Sequence, residues 1–331
     1  MPFAAEKDIH IVFLGGSITE GAGASDVSKC YANLTGEWLK ETYGTHRVHY
    51  HNKGVGGTPS AYGLLRFHRD VAACDPDMVF IEFAVNDGGE DTRKYVEGLV
   101  RSLIALPSKP YVVFLYTTDE RYTTHTAYFE EVAQHYGIPQ ISLKDALKRH
   151  LNGENAREAG FLKDPVHPSD KGYEVYFNEI RRCLSSEEYY RRPEADKEKL
   201  VDAICVRTEF IPSSSVSHSH GWICGGSGER PYMVGGVGEW LETEFDGTIL
   251  AIEHGLHKDS AAYDVYVDGK LIGTGDPWYK DFLSNQLVMG FHTFSLPDGH
   301  HRLRVETVNS QKDGRTNRQV FLYNIITGHK V

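Results

Sequence analysis

Asp8-Ile9-His10-Ile11-Val12-Phe13-Leu14-Gly15-Gly16-Ser17-Ile18-Thr19-Glu20 is a short apolar run that breaks on two glycines and a serine. The run 9–14 has the length of one buried strand and is too short for the core of a signal peptide. Similar runs recur at 47–52, 77–83, 110–116 and 138–142. Between them, apolar residues at three- and four-residue spacing predict helices over 31–42, 59–73, 92–106, 124–136, 143–151 and 169–183. Thr58 before Pro59 reads as a capping hydroxyl followed by a proline at the first helical position. Strands alternating with helices imply right-handed βαβ units and a parallel sheet covered on both faces. The runs 79–83 and 112–116 are apolar without alternation, as strands buried on two sides must be. Ser17 then stands where the first strand ends, at the carboxyl edge of the sheet, where open α/β folds place their ligands. Its neighbouring glycines allow a tight turn and close approach of a ligand, although a glycine-rich loop with an incidental serine would read the same way.

Composition bounds the rest. A chain of 331 residues fits two domains, each large enough for its own core. With 46 acidic against 35 basic side chains, the net charge is −11 and there is no basic run. Nucleic acid is therefore excluded as a partner, because phosphate contacts need clustered Lys and Arg. No stretch approaches the ~20 apolar residues that span a membrane. The five cysteines, Cys30, Cys74, Cys183, Cys205 and Cys224, are widely spaced and never form a Cys-x-x-Cys pair. A disulfide framework or thiolate zinc site is not expected from them, and the cytoplasm is the expected location.

The character changes after Cys183. Residues 185–204 are charged and read as a surface connector between a first domain, 1–184, and a second, 205–331. From residue 205 onward, short alternating runs are separated by Asp-Gly pairs at 246–247, 268–269 and 298–299. Such pairs signal hairpins, and strands at this spacing predict an antiparallel β-sandwich. Trp240 is expected in the sandwich core, whereas Trp278 and Tyr279, after a proline and beside Lys280 and Asp281, are candidate substrate contacts on a loop. Histidines 218, 220, 254, 257, 300 and 301 gather here, but no cysteine or carboxylate partner stands at metal spacing, so no metal site is expected.

Three further blocks bear on the chemistry of Ser17. Asn52-Lys53-Gly54-Val55-Gly56-Gly57-Thr58 follows the second strand and leads into a helix, where an unobstructed glycine N–H can face a developing negative charge. Glu82-Phe83-Ala84-Val85-Asn86-Asp87 ends the third strand and brings a side-chain amide to the same edge. Asp164-Pro165-Val166-His167-Pro168 precedes the last helix of the first domain, and His167 there can take the serine proton while Asp164 orients the imidazole. Each block alone also suits an ordinary turn.

Together and in this order, the four blocks resemble those of the SGNH (GDSL-type) hydrolase superfamily, which covers GDSL lipases, esterases and carbohydrate acetyl esterases. The resemblance covers about residues 8–183. It implies a flavodoxin-like three-layer α/β/α domain, with Ser17 as nucleophile, His167 as base and Asp164 as its partner. It further implies an oxyanion hole made by the N–H groups of Ser17 and Gly57 and the amide of Asn86. No cofactor is implied. Two departures stand out: Gly16 replaces the aspartate before the nucleophile, and Ala84 replaces the glycine of the third block. The second domain bears a weaker resemblance to jelly-roll modules attached to carbohydrate esterases. The expected activity is hydrolysis of acyl esters, O-acetyl groups on an oligosaccharide first among them. A lysophospholipase or thioesterase on the same machinery, and a carbohydrate-binding protein with an inactive hydrolase domain, are the competing expectations. The partners expected are a small-molecule or oligosaccharide ester and neither nucleic acid nor membrane; the oligomeric state is left open, a homo-oligomer included.

Overall fold

The computed structural model describes residues 3, 7–202, 206–226, 230–280, 287–312 and 318–330. Cys205 and Asp281, named above, lie outside them, as does the expected boundary at 204–205. The chain divides into two compact units, Met1–Cys205 and Val206–Val331.

In the first unit, five strands, β1 (Ile9–Gly15), β2 (Val48–Gly54), β3 (Met78–Glu82), β4 (Tyr111–Tyr116) and β5 (Gln140–Ser142), form one parallel sheet in the order β2-β1-β3-β4-β5. Ile11, Phe13, Met78 and Phe80 face a core closed by α2 (Tyr31–Tyr43), α7 (Leu143–His150) and α8 (Asp170–Leu184). The alternate residues Val12, Leu14, Val79 and Ile81 are equally buried, so the sheet is covered on both faces. Helix α3 (Ser60–Leu65) packs on α5 (Thr92–Ile104), and α5 on α6 (Ala127–Tyr136). The three-layer arrangement expected from the alternating pattern is present.

Local departures have local causes. A short helix, α1 (Ser17–Glu20), starts on the serine itself and was not anticipated, because four residues are too few for a helical period to show. The helix expected over 59–73 breaks into α3, α4 (Phe67–Asp70) and a 3₁₀ turn at Ala72–Cys74. Thr58 does not cap it: its hydroxyl donates back to the Val55 carbonyl at 2.7 Å, and the first helical amide, that of Ser60, is taken by Asp87 Oδ1 at 3.0 Å. The expected connector packs against this unit. Glu194 N–H donates to the Tyr136 carbonyl, and the buried Glu97 carboxylate accepts from the amides of Leu200 and Val201.

The second unit consists of two antiparallel sheets. One has the order β13-β12-β15-β10-β7, the other β14-β11-β16-β9-β8 with β6 beside β16. Their strands are β6 (Val206–Pro212), β7 (Ser217–His218), β8 (Ile223–Gly225), β9 (Tyr232–Gly236), β10 (Trp240–Asp246), β11 (Ile249–Leu256), β12 (Ala262–Val267), β13 (Lys270–Gly275), β14 (Val288–Ser295), β15 (His300–Val308) and β16 (Gln319–Lys330). Leu241, Phe245, Val265, Leu303 and Val305 of the first sheet meet Leu250, Ile252, Leu322 and Ile325 of the second in one core. Of the three Asp-Gly pairs only Asp268-Gly269 closes a hairpin, between β12 and β13. The other two carry the chain between sheets, and they meet where Gly247 N–H donates to the Gly299 carbonyl at 3.0 Å. A local turn signal does not distinguish a hairpin from a crossing between layers. Trp240 also departs from expectation: alternation along β10 turns Leu241 inward and leaves Trp240 on the outer face, while Trp222 joins the core.

Buried in this sandwich, Tyr263 Oη links His254 Nδ1 at 2.8 Å and His292 Nδ1 at 3.0 Å. Burial pushes the His254 imidazole down to about 3, further lowered by His292 beside it. Unfolded, it takes up a proton near 6.5; folded, only near 3. The stability contributed by the neutral ring is therefore complete above pH 6.5 and is lost as pH falls, at about 1.4 kcal/mol per pH unit. Thermal unfolding of the sandwich should move to lower temperature between pH 6.5 and 4.5, and His254→Gln should flatten that slope. A slope unchanged in the variant would remove His254 as its source.

Candidate active site

The carboxyl ends of β1, β2 and β3 deliver three of the four blocks to one rim. β1 ends at Gly15, and α1 then places Ser17 with only 8% of its surface exposed. His167, also 6% exposed, reaches it from the turn before α8: Ser17 Oγ and His167 Nε2 are 2.8 Å apart. On the far side of the ring, His167 Nδ1 and Asp164 Oδ2 are 2.7 Å apart. Asp164 Oδ1 also accepts the amides of Val166 and His167, each at 2.9 Å, so one carboxylate shapes the turn and orients the ring. Burial alone would raise the Asp164 carboxyl, but the bonds from the His167 ring and from these amides outweigh it and hold it at about 2. Near neutral pH Asp164 is an anion, an acceptor that favours the Nδ1–H form of the ring and so directs Nε2 at the serine hydroxyl.

The ring of His167 and the hydroxyl of Ser17 are brought together by residues that no block contained. Tyr173 Oη of α8 donates to the carbonyls of Ile18 at 3.0 Å and Ala22 at 2.7 Å. Asp170 accepts from the Ser25 amide and hydroxyl and from Lys29 Nζ. Gly23, at φ 89°, lets the loop after α1 lie against the His167 turn, where a Cβ would stand 2.4 Å from the Pro168 carbonyl oxygen. These contacts join segments about 150 positions apart along the chain (Ser17 to His167, |i−j| = 150). No local pattern reports them.

The second block is clamped to the same short helix. Asn52 Nδ2 donates to the Thr19 carbonyl at 2.8 Å, and the Gly56 amide donates to Glu20 Oε2 at 2.9 Å. Val55 N–H donates to the Gly15 carbonyl, and Arg66, wholly buried, donates to the carbonyls of Gly15 and Lys53 from beneath. Gly57 follows in the left-handed region, φ 75°, at an exposed position beside this clamp. Asn86, in the turn after β3, lies over the backbone before the serine: a Cβ on Gly16 would stand 2.7 Å from Asn86 Oδ1. The same turn is set by the Asn86 and Asp87 amides, both donating to the Phe83 carbonyl. Behind it the buried Glu82 carboxyl binds the hydroxyls of Thr19 at 2.8 Å and Thr117 at 2.6 Å. Its burial outweighs those bonds and pushes it up to about 7.

Glu20 thus ties the serine helix to the Gly56-Gly57 turn. Glu20→Ala should leave the fold intact, lower kcat about tenfold and change KM little, since a charge-assisted bond worth about 1.5–3 kcal/mol positions that turn. Glu20→Gln keeps an acceptor oxygen and should recover most of the loss in steady-state assays.

The expected substrate contacts Trp278 and Tyr279 lie in the second unit, half-buried after β13. Tyr279 N–H donates to the His257 carbonyl at 3.3 Å and Trp278 N–H to Asp276 Oδ1 at 3.2 Å, so this segment is ordered within its own unit. Among the described residues no group of three or more His, Cys, Asp or Glu is placed to hold a metal ion, and no helix is long and apolar enough to cross a membrane.

Residues 13–175 match the model of the GDSL-like Lipase/Acylhydrolase family. Among solved structures, a two-domain esterase (CEX) active on acetylated mannans is 22% identical, with a TM-score of 0.80 over 99% of this chain and 93% of that one. A second structure, of a two-domain esterase (CEX) active on acetylated mannans co-crystallised with mannopentaose, gives a TM-score of 0.81 at the same identity, over 99% of this chain and 92% of that one. At that identity the likeness establishes a shared two-domain fold. No curated protein matches the chain.

Proposed function

From the premise that the N-terminal domain belongs to the GDSL-like lipase/acylhydrolase family, whose members are carboxylic ester hydrolases, we propose that this chain removes O-acetyl groups from an oligosaccharide through an acyl-serine intermediate. The observation that carries the reading is the unbroken line from Ser17 Oγ through the His167 ring to Asp164, with links of 2.8 and 2.7 Å.

In the proposed reaction His167 Nε2 takes the Ser17 proton as Oγ attacks the ester carbonyl carbon. The carbonyl electron pair moves to its oxygen, which the N–H groups of Ser17 and Gly57 and the Asn86 amide stabilise. The intermediate collapses, the bond to the sugar oxygen breaks, and the imidazolium returns its proton to the departing hydroxyl. Water, deprotonated by the same nitrogen, then attacks the acyl carbon; the bond to Oγ breaks, the imidazolium returns its proton to Ser17, and acetate leaves.

The choice of acetyl groups on a glycan is supported by the shared two-domain fold with an esterase active on acetylated mannans and by an acidic chain without a basic run. Hydrolysis of nitrophenyl esters of increasing acyl length, beside acetate release from acetylated mannan and xylan oligosaccharides, tests it. Activity should be greatest on acetyl esters; a preference for acyl chains beyond about four carbons would favour a lysophospholipase or thioesterase instead.

A further inference from the structure

The outer face of the β13-β12-β15-β10-β7 sheet carries an organised set of side chains that the ester chemistry does not use. Register places Trp240 across from Glu306, Glu242 across from Arg304, and Glu244 across from Arg302 on β10 and β15. On the other side of β15, Asp264 stands across from Glu306 and Tyr266 across from Arg304. Their neighbours Leu241, Val265, Leu303 and Val305 point into the core, so this whole row points out. Glu242 accepts from Arg302 and Arg304, both at 2.8 Å, and Arg304 is also bonded to Glu306 at 3.3 Å. Arg304 lies 4.8 Å over the ring of Trp240, which fixes the plane of its guanidinium. A cavity of about 590 Å³ opens on this face, lined chiefly by Glu242, Tyr266, Asp268, Arg302, Arg304 and Glu306.

From this arrangement we infer that the outer face of the sheet is a second, non-catalytic binding site for a neutral oligosaccharide, with Tyr266 as the stacking ring and the Glu242–Arg304–Glu306 row as the hydroxyl partners. Five carboxylates, Glu242, Glu244, Asp264, Asp268 and Glu306, outnumber Arg302 and Arg304, so a polyanion is disfavoured. An apolar partner is disfavoured as well, because it would strip water from charges that are already paired with one another. A hydroxyl-rich ligand can instead accept from the unused guanidinium N–H groups and donate to the free carboxylate lone pairs without breaking the pairs. Its apolar ring face meets Tyr266, which lies one strand spacing, about 5 Å, from Arg304 and two from Glu242. The ligand class rests on the reading of the chain as a carbohydrate esterase; the site does not share residues with that chemistry.

Electrophoresis of the full chain through gels containing unacetylated galactomannan or xylan, with titration calorimetry on mannopentaose and xylopentaose, tests the inference. The parent should be retarded by at least one glycan. Tyr266→Ala and Arg304→Ala, both outward-facing and on different strands, should each weaken binding about tenfold. Ser17→Ala should be retarded like the parent, and Tyr266→Ala should hydrolyse nitrophenyl acetate at the parental rate. A parent that migrates freely in every glycan gel and gives no heat with either pentasaccharide, or variants that bind as the parent does, would overturn the site. Should the parent fail to hydrolyse nitrophenyl acetate while its retardation still depends on Tyr266, the esterase reading falls and the binding site stands.

Discussion

His167→Ala is expected to lower kcat on an acetyl ester about 10⁶-fold, Ser17→Ala by about as much, and the double variant no further. The reason is that in the proposed reaction the two groups act as one device: without Nε2 the hydroxyl 2.8 Å away would keep its proton, and without the hydroxyl the ring would have nothing to activate. Asp164→Ala should cost less, about 10⁴-fold, because it removes the orientation of the ring and not the base itself. It also removes the acceptor of the Val166 and His167 amides, so the turn that carries His167 should loosen as well. Steady-state kinetics on nitrophenyl acetate read all four variants. Multiplicative losses in the double variant would show that Ser17 and His167 do not share a step.

Gly16→Asp should be damaging too, though less so, and for a different reason. It writes into this chain the aspartate that the resembling family carries before its nucleophile, so comparison of sequences alone would class it as harmless or restorative. Here a Cβ at position 16 would stand 2.7 Å from Asn86 Oδ1 and 3.4 Å from the Thr58 carbonyl oxygen. The backbone at Gly16, φ −88° and ψ −151°, suits any L-residue, so the fold pays little. What yields is the end of the Asn86 side chain, which must swing away from the position from which it can serve an oxyanion. The new carboxylate would also oppose a developing negative charge. Losing one such donor typically costs about 10²–10³ in kcat. The expected result is a variant with parental Tm and kcat reduced by about that factor. Parental kcat in a well-folded variant would show that Asn86 is not an oxyanion donor.

How far the molecule was legible in its sequence depends on where each signal is stored. The four blocks could be read because each is contiguous and each ends a strand of a parallel sheet, whose carboxyl edge is shared by construction. Asp164 and His167 lie three positions apart, so their pairing was a local fact. Tyr173, Gly23, Glu20 and Arg66 could not be read, because what makes them matter is a carbonyl or amide belonging to another segment. The short helix on Ser17 escaped for want of length. In the second unit, alternation identified β10, β11, β12, β14, β15 and β16 but not β6, β7, β8, β9 or β13, and the pairs at 246–247 and 298–299 looked like hairpins and instead carry the chain between sheets. Trp240 was expected in the core, whereas the period of two along β10 gives the inner face to Leu241.

Reaction of the parent chain with a fluorophosphonate, followed by intact mass and peptide mapping, is the most direct test that these loops form one acyl-transfer centre. The expected result is a single adduct per chain on the peptide containing Ser17, absent from Ser17→Ala and formed far more slowly in His167→Ala. A chain that hydrolyses acetyl esters yet carries the label on another residue, or carries none, would contradict it.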